Sequence, residues 1–351
     1  MRASDLLAPT AQGLYCPPAD AYIDPVRPVA RALITHGHSD HARAGHGAVL
    51  ATMETLGVME VRYGGAFAGS TQVAGWRTPV RINGVSFTFA PAGHVLGSAQ
   101  IVVEHGGMRI VASGDYKRAP DPTCAGFEPV PCDVFITEAT FGLPVFRHPP
   151  LEGEIAKLLS SVALFPERAH VIGAYALGKA QRMVALLRAA GYGRPIYIHG
   201  ALQKLMEFYE SQGVALGEIR LASSVERKEL KGEIVLCPPS AIQDLWSRRF
   251  ADPVTAFASG WMRVRARARQ RGVELPLVVS DHADWDDLCA TIREVGAGEI
   301  WVTHGQEDAL CHWCATQGVR ARPLRIVGYG EEGEAEPDET PRESGEGADL
   351  T

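Results

Sequence analysis

No apolar run in this 351-residue chain approaches the ~20 residues that a membrane-spanning helix needs. The opening residues, MRASDLLAPTAQG, lack the long apolar stretch of a secretory signal peptide. Cysteine is sparse and odd in number; seven of them spread over this length do not make a disulfide framework. No internal repeat is visible. These absences set aside membrane spans, disulfide scaffolds and repeat arrays, and the expected location is cytoplasmic.

Positive charge is also short, with 34 Lys and Arg against 41 Asp and Glu, a formal net charge of −7. The deficit is local. Residues 331–351 hold nine acids and a single base, Arg342, leaving 33 basic and 32 acidic residues elsewhere. That segment has almost no large apolar side chain to offset its ordering entropy, so it is expected to be a disordered acidic tail. The body is near-neutral, 46% of the chain is hydrophobic, and its length suits a sizeable core in two domains.

Through residue 145 the pattern is strands joined by short turns. Residues 29–35 (VARALIT) form an apolar run that ends in polar residues. Asn83-Gly84 and Gly106-Gly107, each between alternating apolar residues, predict hairpins. Residues 133–137 (DVFIT) lead into Glu138. From about residue 149 strand and helix alternate: helices over 151–163 and 179–190, strands over 169–174 and 195–199. This predicts a parallel α/β unit. Strands over 277–280 and 299–303, with a helix over 285–295 between them, close the chain.

Chemistry concentrates at strand ends. THGHSDH supplies His36, His38, Asp40 and His41 within six residues, the ligand types of Zn²⁺ and similar cations. Four ligands so close in sequence crowd one tetrahedral ion but divide readily between two. His94 in PAGHVLGSA, Asp115 in SGDYKR, His282 in SDHAD and His304 in VTHG follow other strands. A carboxylate such as Asp115 can bridge two cations, and two cations ~3.5–4 Å apart suit displacement at phosphorus.

Other motifs weigh less. Residues 173–179 match the spacing of a nucleotide-binding loop, but Ala180 stands where a hydroxyl should hold Mg²⁺; a strand-to-helix turn is expected. Cys311-His312-Trp313-Cys314 has no second cysteine pair at zinc-ribbon spacing, so a buried helix face is expected. Arg263, Arg265, Arg267, Arg269 and Arg271 alternate, and would share one face of an extended segment. With Lys117 and Arg118, the candidates for phosphate contact are Arg263, Arg265 and Arg267.

The HxHxDH signature at 36–41 resembles that of the metallo-β-lactamase superfamily. The resemblance implies an αββα sandwich of the α/β class, with His36, His38 and His94 on one metal, Asp40, His41 and His304 on the other, and Asp115 bridging. FITEATFG, SDHAD and VTHG are similar to the motifs of the β-CASP nucleases, and AYALGKAQ to a segment of their inserted domain. The expected division is 1–145 and 273–330 for the sandwich, 146–272 for a β-CASP-like insert, and 331–351 for the tail. LYCPPADAYIDP, the 113–138 stretch and FASGWMRVR resemble the bacterial ligase-associated DNA exonucleases.

That family implies a metal-dependent DNA exonuclease with two divalent cations, Zn or Mn, in repair beside an ATP-dependent DNA ligase and a helicase. Asp40, Glu138 and His282 are the expected catalytic residues, with His282 protonating the leaving oxygen. A histidine in the third motif, His304, is typical of RNA-processing relatives, so an RNA-processing β-CASP nuclease stays open. So does a non-catalytic scaffold of a repair complex, although every ligand position is filled.

Overall fold

The computed structural model describes residues 2–324; the acidic segment 331–351 lies outside the described residues. Three sheets organise the chain. The first takes six strands in chain order, from Ala8–Thr10 to Ala68–Val73. The second has seven, ordered Arg320–Pro323, Glu299–Gly305, Val134–Ala139, Met108–Ala112, Ala99–His105, Val85–Pro91, Val80–Ile82. Its hairpins follow from glycine turns. Asn83 and Gly84 sit at φ 48° and 83°, Gly106 and Gly107 at 58° and 81°, the positive pairs that a two-residue turn of matching twist requires.

The first two sheets face each other across one core, where Leu14, Ile23 and Leu33 meet Phe87, Phe89 and Ile101. Alternation then decides the opposite faces. Along Ala99–His105, Ile101 and Val103 enter that core, whereas Val102 packs with Leu288 and Ile292 of helix Trp285–Val295. Leu310 and Cys314 of helix Glu307–Thr316 join them. Outside the first sheet, Leu56 and Met59 of helix Met53–Tyr63 cover Ile34 and Val49. The layers therefore run helix, sheet, sheet, helix, a mixed α/β arrangement.

The third sheet is entirely parallel, ordered Ile219–Leu221, Ile196–Ile198, Ile234–Cys237, His170–Gly173, Val254–Ala258, Leu275–Leu277. Its strands are short and apolar because both faces are covered. Helices Leu151–Leu164 and Lys179–Ala189 supply Leu158, Met183 and Val184 to one side. The last strand pairs with Val254–Ala258, so this sheet runs past residue 272.

Three expectations about elements change. The strand expected over 29–35 is confined to Arg31–Leu33. The one expected over 277–280 is instead Leu275–Leu277, and 278–280 carry no strand. The arginine stretch is not extended: Arg263 ends a 3-10 turn, Gly260–Arg263, and Arg265–Arg271 is an α-helix closed by Gly272 at φ 65°. Arginine and alanine are strong helix formers, and helical residues two apart point about 200° from each other. The five arginines are all exposed, but the four in the helix fall on two opposite sides instead of sharing a face.

Candidate metal centre and active site

The loop after strand Arg31–Leu33 is set by a residue whose part the sequence did not signal, Asp24. Its Oδ1 accepts from the Thr35 amide at 2.8 Å and its Oδ2 from the Thr35 hydroxyl at 2.6 Å. The same Oδ2 lies 2.8 Å from Nδ1 of His41, and Thr35 Oγ1 lies 3.0 Å from Nδ1 of His36. Both rings are thus held by one nitrogen, and their Nε2 atoms face inward. Such outer partners commonly fix the tautomer of metal-binding histidines.

Three imidazole nitrogens converge. Nδ1 of His38 is 3.1 Å from Nε2 of His36 and 3.0 Å from Nε2 of His94. Asp115 Oδ2 is 3.5 Å from the first and 3.8 Å from the second of those Nε2 atoms. Nitrogens about 2.0–2.1 Å from a tetrahedral zinc lie about 3.3–3.4 Å from one another, so these edges fit a cation with little rearrangement. His36, His38, His94 and Asp115 form one candidate cluster.

Asp115 also belongs to the second. Its Oδ2 is 3.5 Å from His41 Nε2 and its Oδ1 3.3 Å from His304 Nδ1, and these three residues form another cluster. Asp40 is less tightly placed; its carboxylate stands 3.7 Å from His41 Nε2 and is partly exposed. His304 holds a left-handed backbone, φ 55°, a strained state for a residue with a Cβ and one found at functional sites. It is the penultimate residue of strand Glu299–Gly305, where the pairing with Val134–Ala139 shifts register. Gly305 follows at φ 103°, where a Cβ would come within 2.3 Å of the Ala139 carbonyl.

The charges match a cation site. Burial works against charging His41, yet Asp115, Asp40 and Asp24 around it raise it to about 10. Burial likewise opposes ionising Asp115, but His41, His304 and His36 hold its carboxyl well below the usual range. His36, buried and beside His41, stays well below the ordinary imidazole value and so keeps a lone pair. A protonated His41 fits this anionic pocket where a second cation would sit.

Glu138 and His282 come together beside the clusters, with His282 Nδ1 at 3.1 and 2.9 Å from the two carboxylate oxygens. Glu138 Oε1 also accepts from the Tyr116 amide at 2.7 Å. The His282 and His94 rings are 4.5 Å apart. His282 borders a cavity of about 810 Å³ that Lys117, His148, Ser280 and the apolar Leu151, Ile155 and Leu186 also line. His148 stands in none of the motifs, yet its ring is 4.6 Å from Phe141, which in turn meets His282. Only a fold that returns residues 280–287 to this loop could reveal it.

Other expected contacts lie elsewhere. Lys117 is buried and donates to the Ser280 carbonyl; burial, with Arg182 nearby, lowers its ammonium to about 7. Its side chain is turned inward, and it lines the cavity beside His282. Arg118 pairs with Glu294 at 2.7 Å and reaches Thr291, on the helix covering the second sheet. Arg263 donates to the Arg147 carbonyl at 3.0 Å, Arg267 stacks 3.9 Å over Trp261, and Arg265 is exposed. Lys179 of the loop-like motif is buried against Asp281 at 2.8 Å. Cys314 is buried in a helix and Cys311 half-buried.

No protein-family model matches the chain. It is 28% identical over 337 residues to a probable DNA ligase of Opitutus terrae, covering 93% of this chain and 31% of that protein. It is 37% identical over 139 residues to cleavage and polyadenylation specificity factor subunit 3 of Dictyostelium discoideum, covering 37% and 18%. Endoribonuclease YSH1 of Saccharomyces cerevisiae matches at 34% over 116 residues, covering 32% and 15%. The chain thus spans less than a third of the length of these relatives. A solved structure of a protein of unknown function from Enterococcus faecalis V583 superposes with TM-score 0.56 at 13% identity, covering 85% of this chain and 80% of that one, a likeness of fold alone. The relatives support the resemblance to β-CASP nucleases of the metallo-β-lactamase type.

Proposed function

We propose that this chain is a metal-dependent nucleic-acid phosphodiesterase of the β-CASP branch of the metallo-β-lactamase superfamily, acting as a DNA exonuclease. The observation that carries the reading is the convergence of His36, His38, His41, His94, His304 and Asp115 beside the Glu138–His282 pair. The layers of the first two sheets support the sandwich, and the third sheet supports an insert that begins near residue 146 and runs through Leu275–Leu277, past the boundary expected at 272. His36, His38, His94 and Asp115 would hold one divalent cation, and Asp40, His41, His304 and Asp115 another, zinc suiting the imidazole-rich set and manganese the alternative. When bound, such a pair supplies an activated water near neutral pH and offsets charge on the phosphoryl oxygens.

The chain's own residues supply the remainder. His282 gives its Nε2 proton to the departing oxygen, and Glu138, fixed by the Tyr116 amide, keeps Nδ1 protonated and offsets the imidazolium charge. The cavity next to His282 offers room for the leaving side of the substrate. The exposed arginine helix suits phosphate contact. Likeness to a probable DNA ligase over 93% of the chain supports DNA as substrate and a ligase as repair partner; a helicase is implied by the resemblance to the ligase-associated exonucleases alone. His304 and the likeness to endoribonuclease YSH1 favour the second reading, an RNA-processing nuclease.

The test is digestion of 5′- and 3′-labelled DNA and RNA with and without chelator. Chelator-sensitive release of mononucleotides from DNA ends is expected. Cleavage of RNA with DNA left intact moves the assignment to RNA, and no cleavage of either leaves the scaffold reading.

A further inference from the structure

We infer that Lys179 and Arg182 are positioning residues for the metal centre: from helix Lys179–Ala189 they hold the 279–281 segment that orients His94 and carries His282. The inference rests on the proposed metal role of His94. Strand pairing stops at Leu277, so the carbonyls that follow must find other donors in a buried place. Lys179 Nζ donates to the Val279 carbonyl at 2.9 Å. Lys117 Nζ and Arg182 Nη1 both donate to that of Ser280. His94 Nδ1 stands 2.8 Å from that of Asp281.

The Asp281 carboxylate is gripped in turn, by Lys179 Nζ at 2.8 Å and Arg182 Nη1 at 3.2 Å, and Arg182 also reaches Asp121 at 3.3 Å. All these charged side chains are at least nine-tenths buried. A buried cluster of this kind adds little net stability, because desolvation offsets its attraction. What it does supply is a fixed carbonyl. With Asp281 O accepting from Nδ1–H, the lone pair of His94 lies on Nε2, the atom facing His38 and Asp115. The next residue is His282, whose amide donates to Ser280 Oγ at 3.0 Å. The Leu177 carbonyl, two residues before Lys179, lies 3.3 Å from Nε2 of His38. The third-sheet unit therefore orients two of the three imidazoles of the first cluster.

Lys179→Met combined with Asp281→Asn, in the full chain, removes one charge of each sign and leaves the net charge unchanged. Zn²⁺ is titrated against a chromophoric chelator, and the metal-free protein is melted as a control for folding. The folded double variant is expected to bind the first Zn²⁺ about 10–100-fold more weakly, the usual cost of losing an outer partner. Arg182→Lys, which keeps a donor for Ser280, is expected to retain wild-type affinity. Wild-type affinity in the folded double variant overturns the inference. Should that variant not fold, ¹⁵N imidazole shifts of the metal-free wild type decide, with His94 assigned through His94→Gln. An Nδ1–H tautomer supports the arrangement, and an Nε2–H tautomer overturns it. Neither readout uses cleavage, so failure of the nuclease reading would be seen separately.

Discussion

Single side chains at this site differ in what their loss should do. His282 is held at Nδ1 by the Glu138 carboxylate and belongs to neither of the two imidazole clusters built on His36 and His41. His282→Ala is therefore expected to bind Zn²⁺ normally and to lose about 10²–10⁴-fold in kcat, the span of a general acid; metal analysis beside kinetics checks both. His148 bears on stability instead. Burial, then Lys117 and Lys179, lower it to about 3, whereas an unfolded histidine titrates near 6.5. The unfolded chain thus takes up the proton first as pH falls, so this contribution is present above about 6.5 and is lost between about 6.5 and 3. His148→Gln should flatten the fall of stability by up to ~1.4 kcal/mol per pH unit in that window, read from denaturant melts at pH 7, 6 and 5.

Elements decide where those side chains point. Strand Glu299–Gly305 delivers His304 in a left-handed conformation, followed by Gly305 at φ 103° packed against the Ala139 carbonyl. Gly305→Ala meets the Ala139 carbonyl and a forbidden φ, and the backbone strain by itself costs about 1–3 kcal/mol. A lowered melting temperature together with weaker binding of the second cation is expected from calorimetry and metal titration. The arginine helix carries another prediction. Because Arg265 and Arg267 point to opposite sides, one nucleic-acid strand meets at most some of Arg263, Arg265 and Arg267. Replacing all three by Gln should lower the log–log salt slope of DNA binding by about 1–2, not 3. The helix was not legible because a period-two run of arginine and small residues fits a strand edge and a helix alike. The hairpins at Asn83-Gly84 and Gly106-Gly107 were legible because their backbone angles are local demands of a short turn.

At the scale of the molecule, charge and metal act together. The described residues bury a site in which His41 carries a proton among Asp115, Asp40 and Asp24. Cations binding only the folded form stabilise it by mass action, so chelation should lower the melting temperature and Zn²⁺ restore it, in a scan with EDTA. Residues 331–351 bring nine acids to a chain otherwise near-neutral. Deleting them is expected to tighten DNA binding at low salt, with the gain fading as salt rises; equal affinity at 50 mM salt would leave the segment without that effect. No helix among the described residues is long and apolar enough to cross a membrane.

By itself, the sequence determined the ligand inventory and the local turns. His36, His38, Asp40 and His41 need no fold to be seen as candidate cation ligands, since their nearness is covalent. It also marked Glu138, His282 and His304 as polar residues beside apolar runs. Only the tertiary structure decided which nitrogen each imidazole offers, because that depends on Asp24, Thr35 and the Asp281 carbonyl, all brought in from other segments. It likewise decided that Lys117 and Lys179 are buried struts and not surface contacts. A lysine's sequence neighbourhood is the same in either role; what differs is the carbonyl and carboxylate that long-range packing places within reach.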